Sequence, residues 1–323
     1  MIVIPNLKDI RTAYTRIAST INKTPVMTSR TLNSLVGIRA YFKCENFQRA
    51  GAFKFRGAYN SILQLSKDEK EKGIIAHSSG NHAQAVSLAS NLLGVKAIII
   101  MPKNAPKVKI EATRGYGAKI IFSANTLIDR VKITRRLVSK HGYKEIHPYD
   151  NKNVIIGAGT AALEFMDEIE GINLLYCPVG GGGFISGTSI AAKGLNSNCQ
   201  VIGVEPEIAD DAYRSFKTGK LFENLNLNTI ADGLRTSLSD LTFSIIRKHV
   251  DDIITVSEMA ILNAMRFLWE RMKMVVEPSG AVSLAGVLSR KIEMKNKRVG
   301  IMISGGNVSL EQFFALLSAK ITE

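Results

Sequence analysis

Residues 74–101 read IIAHSSGNHAQAVSLASNLLGVKAIIIM, and this stretch decides the fold. Two β-branched runs, IIAHS from Ile74 and VKAIIIM from Val95, are too short for helices. Between them NHAQAVSLASNLLG from Asn81 repeats its apolar residues at spacings of three and four. Strand, helix and strand in that order predict a βαβ unit. The same alternation extends outward, with strand runs AKIIFS from Ala118, LLYCPV from Leu174, QVIGVE from Gln200 and RVGIMIS from Arg298. Helical patterns lie between them at TLIDRVKITRRLVSK from Thr126 and EMAILNAMRFLWERMK from Glu258. Near-continuous apolar strands imply parallel sheets covered on both faces. The expected class is therefore α/β, with two open, mostly parallel twisted sheets and helices on both faces. Ligands of such sheets bind beyond the carboxyl ends of the strands. The strands from about 73 to 123 lie close together, whereas those near 174, 200 and 298 are widely spaced. We therefore expect a smaller mobile α/β domain at 68–148 inserted in a larger domain made of 1–67 and 149–323.

Composition narrows the class without naming a function. The 323 residues are 46% hydrophobic, enough for a sizeable core, and no low-complexity run suggests disorder. A net charge of +14 could attract nucleic acid or anionic membrane, but the basic residues are scattered, without clustering or interleaved aromatics. Neither nucleic acid nor membrane is an expected partner. Cys44, Cys177 and Cys199 form no CxxC, which fits a reducing compartment, and the cytoplasm is the expected location. The opening MIVIPNLKDI has no long apolar region behind a basic flank, and the chain contains no apolar run of membrane-spanning length. Only one helix is expected after the last strand, so no regulatory module is expected there.

Five clusters carry chemistry. In AGAFKFRGA, residues 50–58, Lys54 sits between two phenylalanines. Apolar surroundings lower a lysine pKa and free its amine for Schiff-base chemistry, although a lysine so flanked can equally be an ordinary surface one. In AHSSGNHAQAVSLAS, residues 76–90, a strand ends in Ser78, Ser79, Gly80, Asn81 and His82 and opens a helix. Backbone N–H groups there can bind a carboxylate, or Ser79 or Asn81 can simply cap the helix while His82 packs in the core. CPVGGGGFISG, residues 177–187, places Gly180, Gly181, Gly182 and Gly183 at a strand end, exposing several N–H groups to one phosphate. It lacks the Lys-Ser/Thr of a P-loop and the dinucleotide spacing, which disfavours ATP hydrolysis and NAD chemistry. GIMISGGNV at 300–308 puts Ser304 at another strand end. Finally, GVEPEIADD at 203–211 spaces Glu205, Ala209 and Asp211 so that two carboxylates and a carbonyl could share a hard cation, or could simply enrich a helix N-terminus in acid.

An available lysine amine, an anion-binding turn and a separate phosphate cup together suit pyridoxal phosphate. Along nearly its whole length the chain resembles the fold-type II pyridoxal-phosphate enzymes of the serine/threonine dehydratase family, and especially the serine racemase-like branch. FKFRGA, SSGNHAQA, GGGG, VEPSGAV (276–282) and SGGN stand in the family's order. The resemblance implies the tryptophan synthase β-like fold and a homodimer. It makes Lys54 the Schiff-base lysine, with Phe53 near the cofactor ring and Asn81 on its phenolic oxygen. Gly180–Gly183 become the phosphate loop, and Ser304 faces the pyridine nitrogen. Ser78, Ser79, Asn81 and His82 hold the substrate carboxylate, while Glu205, Ala209 and Asp211 form a site for Mg²⁺, Mn²⁺ or Ca²⁺.

The expected activity is an ammonia-lyase that converts L-threonine or L-serine to 2-oxobutanoate or pyruvate and ammonia. Two alternatives stand beside it. Many threonine dehydratases read Ser-Ala-Gly-Asn-His where this chain has Ser-Ser, as the racemases do. A Ser79 hydroxyl opposite Lys54 can return the α-proton from the other face, giving serine racemisation. Dehydratases of 3-hydroxyaspartate also belong to this branch, and residues near Arg130 could read a second carboxylate, although sequence alone does not place that side chain. The lysine and substrate-loop motifs differ from those of cysteine and threonine synthases. A basic nucleic-acid-binding protein on a retained scaffold rests on net charge alone.

Overall fold

The run at 74–101 forms the strand, helix and strand read from it. The computed structural model describes residues 3–105, 107–223, 226 and 228–318. Its strands are β1 (Val26–Thr28), β2 (Arg39–Cys44), β3 (Ile74–His77), β4 (Ala97–Pro102), β5 (Lys119–Ser123), β6 (Lys144–Glu145), β7 (Leu174–Pro178), β8 (Gln200–Pro206), β9 (Asp252–Val256) and β10 (Arg298–Ile303). A four-stranded, wholly parallel sheet runs β5-β4-β3-β6. A six-stranded sheet runs β1-β2-β10-β7-β8-β9, parallel except where the edge strand β1 pairs with β2. The two mostly parallel sheets with surrounding helices are thus as expected.

Four strands escape the apolar pattern for physical reasons. β2 contains Lys43, whose charge breaks the run, yet Lys43 is fully buried against Glu164 at 2.8 Å. β1 and β6 span three and two residues and hold their conformation through their neighbours. β9 opens with a charged Asp252. The helices follow their signals closely: Thr126 caps Leu127–His141 by accepting from the Asp129 N–H at 3.1 Å, and Ser257 caps Glu258–Met272.

Strands β3 and β4 are buried along almost their whole length, and full burial of each isoleucine contributes about 1.5–3 kcal/mol. The core around this sheet also takes Phe55, Ala58, Tyr59 and Ile62 from the helix Lys54–Leu63, and Val154 from the helix Lys152–Glu168. Those two helices touch through glycine: a Cβ on Gly157 would lie 2.6 Å from the Arg56 carbonyl. Only side-chain-free positions allow this approach, and it clamps the helix carrying Lys54 to the fold. Cys44, Cys177 and Cys199 are buried and unpaired, and burial raises every thiol pKa. Among the described residues no helix is long and apolar enough to cross a membrane.

Candidate active site

Strand order reverses at two places, between β3 and β6 and between β7 and β10, and the expected site residues other than Glu205, Ala209 and Asp211 gather near the carboxyl ends of those strands. Beyond β10, the Ser304 carbonyl accepts from the Phe53 N–H at 3.0 Å, and Gly305 bridges to Ala52. The lysine segment is therefore pinned to the Ser-Gly-Gly turn. Lys54 opens its helix, and its Nζ donates to the Pro148 carbonyl at 2.9 Å, just past β6. A carbonyl stabilises the ammonium only partly, and burial lowers the Lys54 pKa to about 8. Lys54 is still mostly protonated at pH 7, but roughly a tenth is free amine, a far larger share than an ordinary lysine offers. Phe53 lies 5.0 Å from Nζ, with one face stacked on Phe184 at 3.9 Å.

The turn after β3 spends few of its N–H groups. Ser78 Oγ accepts from the Gly80 N–H at 3.2 Å, and the helix Asn81–Leu92 starts at Gly80 without a side-chain cap. Neither Ser79 nor Asn81 is therefore the helix cap. Asn81 is fixed from both ends, donating to Glu277 Oε1 at 2.5 Å and accepting from Asn307 Nδ2 at 2.9 Å. His82 Nε2 faces the Ile146 carbonyl at 2.8 Å, which requires the proton on Nε2. Its Nδ1 is buried and unpartnered among the described residues. Burial and the nearby Lys54 hold the His82 pKa well below the ordinary range, so the ring is neutral.

Gly180–Gly183 leave the end of β7 fully buried and lead into the helix Gly183–Leu195, whose N-cap, Gly182, offers no side chain to the first N–H groups. A Cβ on Gly181 would lie 2.3 Å from the Tyr149 ring, and one on Gly180 would lie 3.0 Å from Leu234 Cα. The cup is made of glycine because its neighbours leave no room for side chains, and its unspent amides suit an anion. Near the end of β8, Glu205 stands beside Asp211, with Ala209 in the turn between them, and all three are fully buried. Glu205 accepts from the Ala212 and Tyr213 N–H groups at 3.2 and 2.8 Å, so it does cap the following helix from outside. Neither oxygen of Asp211 has a hydrogen-bond partner of good geometry among the described residues. Burial pushes Asp211 up to about 7 against the Leu238 amide, while burial and Asp211 push Glu205 well up. Among the described residues there is no group of three or more His, Cys, Asp or Glu side chains suited to a metal ion.

A further set stands around the β3 and β6 ends. His77 and His147 meet edge to face at 5.7 Å, and burial lowers each pKa to about 4. Arg130, on the helix Leu127–His141, is close enough to depress His77 further, and its own Nε is buried and unpartnered among the described residues.

The model of the family described as "Pyridoxal-phosphate dependent enzyme" matches residues 17–305. The chain belongs to this family. It is 48% identical to an L-threo-3-hydroxyaspartate ammonia-lyase of Saccharomyces cerevisiae, with 98% of each chain covered. The crystal structure of a serine racemase from Dictyostelium discoideum superposes with a TM-score of 0.90 at 49% identity, covering 94% of this chain and 99% of that one. A crystal structure of a T.th. threonine deaminase gives 0.90 at 43% identity, covering 95% and 99%. These similarities place this pyridoxal-phosphate dependent enzyme among the fold-type II members, in the serine racemase-like branch.

The residues present fit the cofactor. A desolvated amine stands at Lys54, and an uncapped helix start follows the glycine cup. Sequence reading missed Pro148, Tyr149, Glu277 and Asn307 as parts of this constellation. Glu277 stands in the quoted VEPSGAV, which marked it only as part of a motif. Asn307 likewise stands in the quoted SGGN, whereas Pro148 and Tyr149 meet the site through a loop whose spacing carries no signal.

Proposed function

We propose that this enzyme is an ammonia-lyase for β-hydroxy amino acids, releasing a 2-oxo acid and ammonia, with a second carboxylate on the preferred substrate. The observation that carries this reading is the buried Lys54, its pKa lowered to about 8, held at a strand-end site together with the uncapped Ser78–His82 turn. Pyridoxal phosphate, when bound, would supply an aldehyde for the substrate amine and a sink for the electron pair left on the α-carbon. Lys54 then removes the α-proton, for which an amine pKa of about 8 is well matched near neutrality. The turn at 78–82 receives the α-carboxylate, and the cup at 180–183 receives the cofactor phosphate. Phe53 packs near the ring, and Asn81, with its amide already oriented by Glu277 and Asn307, addresses the phenolic oxygen. Ser304, whose Oγ donates to the Ser279 carbonyl at 3.3 Å, would offer the pyridine nitrogen a neutral neighbour in place of a carboxylate, which would favour prompt loss of the β-hydroxyl over prolonged storage of charge.

The Arg130 Nε, unpartnered among the described residues, supports the second carboxylate, as do relatives named for 3-hydroxyaspartate. Holoenzyme should be incubated separately with L-serine, L-threonine and L-threo-3-hydroxyaspartate, with 2-oxo acid release and chirality both measured. Oxo acid without inverted amino acid is expected, fastest from the dicarboxylic substrate. Arg130→Gln should lower its kcat/KM by about 10–100-fold, the value of a charged hydrogen bond, and leave serine nearly unaffected. Equal loss on both substrates would remove Arg130 from specificity. Racemisation is the second reading, supported by Ser79, which the helix does not use as a cap. D-serine with little pyruvate, abolished in Ser79→Ala, would put that reading first.

A divalent cation, Mg²⁺, Mn²⁺ or Ca²⁺, belongs to the same proposal, bound by Glu205, the Ala209 carbonyl, Asp211 and water. Two buried carboxylates side by side, one of them without a well-formed hydrogen bond among the described residues, favour an ion of opposite charge. Chelation should lower the Tm, and adding cation at a hundred times its Kd should restore about 2.7 kcal/mol. Asp211→Asn should erase that response, and a Tm indifferent to chelator would remove the cation from the proposal.

A further inference from the structure

One ion pair crosses from the four-stranded part of the molecule to the cover of the glycine cup. Lys109 stands on the helix Lys107–Gly115, which follows β4, and its Nζ meets Asp232 Oδ2 at 2.5 Å. The lysine side chain is only 7% exposed. A Cβ built on Gly80 would lie 3.7 Å from the same Nζ, so this ammonium stands directly over the Ser78–His82 turn. Asp232 begins the short turn Asp232–Leu234, and Leu234 is the residue that closes over Gly180. That turn is itself anchored: the Gly233 N–H donates to Ser279 Oγ at 2.9 Å, and the Ser279 carbonyl accepts from Ser304 Oγ at 3.3 Å. One contact therefore ties the substrate turn, the phosphate cup and Ser304 into a single frame. Burial alone would lower the Lys109 pKa, but Asp232 and Glu277 outweigh it and keep the ammonium charged.

We propose that Lys109 and Asp232 are positioning residues whose ion pair holds the Ser78–His82 turn beneath the cover of the glycine cup and so sets substrate affinity. The chemistry asks nothing of Lys109 itself, because Lys54 already supplies the amine. What the site lacks without the pair is a fixed distance between the group that holds the carboxylate and the group that holds the phosphate. Positioning of this kind is lost steeply with small displacements. This inference rests on the proposed lyase reading, so its test includes a measurement that needs no turnover.

The holoenzyme and its Lys109→Ala, Lys109→Arg, Asp232→Asn and Lys109→Asp/Asp232→Lys variants should be compared with L-serine as the probe. Hydrogen exchange should be followed without substrate over Lys107–Gly115 and Asp232–Leu234. Lys109→Ala and Asp232→Asn are expected to raise KM about tenfold or more with kcat changed much less, and to speed exchange in both segments. Lys109→Arg should retain most of the affinity, and the charge-exchanged double variant should recover both readouts relative to the single changes. Unchanged exchange in the single variants would overturn the proposal. So would a double variant no better than either single one, since the two charges would then act separately. If the unaltered holoenzyme releases no oxo acid from any substrate, the lyase reading falls, while the exchange measurements still decide whether the pair holds the frame.

Discussion

Replacing Lys54 with alanine is expected to cut turnover by about a hundred- to ten-thousand-fold from loss of the proton-transferring amine alone. Loss of the covalent anchor adds to this. The expectation follows from position as much as from residue type. Lys54 is held by a helix clamped at Gly57 and Gly157, by the Phe53 N–H on Ser304 and by its own bond to Pro148, so no neighbouring lysine can take its place. Lys43 is buried against Glu164, and Lys109 is committed to Asp232. In the unaltered enzyme, borohydride reduction followed by peptide mapping should find the cofactor mass on the peptide containing Lys54. In Lys54→Ala that mass should be absent even where cofactor still binds through the glycine cup. Added small primary amines should return part of the activity if the missing function is an amine at that place. Ordinary turnover in the alanine variant would remove Lys54 from the chemistry and with it the whole assignment of the site.

How much of this was legible in the sequence depends on the range of the interaction involved. The βαβ unit at 74–101 was legible because periodicity and turn residues act within a few positions. The glycine run was legible because four residues without side chains are costly unless something must come close. What comes close was not legible: Tyr149, Leu234 and Thr242 reach the cup from distant loops and helices. Glu205 shows the opposite case, where the plainer reading of one motif holds, since it caps a helix, and its place beside Asp211 emerges only in the fold. Strand β2 shows a charge whose partner decides its meaning. Lys43 reads as a surface residue until Glu164, on a helix more than a hundred residues later, turns it inward. Arg130 was legible only as a residue near the right segment, because an unpartnered nitrogen is visible only once its surroundings are folded.

The same long-range logic makes Arg56→Met the change expected to cost most stability, about 3–5 kcal/mol, the range for breaking a buried ion pair by removing one partner. Arg56 follows Lys54 by two positions and is fully buried. Its guanidinium holds Glu45 through two bonds at 2.7 and 2.8 Å and Glu164 through two more at 2.9 and 2.8 Å. With Lys43, also on Glu164, two cations face two carboxylates, and the cluster is neutral only while all four are present. Burial alone would lower the Arg56 pKa and raise that of Glu164, yet the pairing reverses both directions. Methionine fills much of the volume but leaves two buried carboxylates sharing Lys43. Arg56→Lys keeps the charge and loses the planar fork, so its loss should be intermediate. Denaturant midpoints at an unchanged m-value would measure both variants. A loss below about 1 kcal/mol in Arg56→Met would mean that the carboxylates find protons or water at little cost, and that the cluster is dispensable to the fold. If the larger loss is found, the arginine of FKFRGA is an anchor rather than a ligand. The helix that presents Lys54 is then fixed from beneath by Glu45, on the segment after β2, and by Glu164, on the helix before β7.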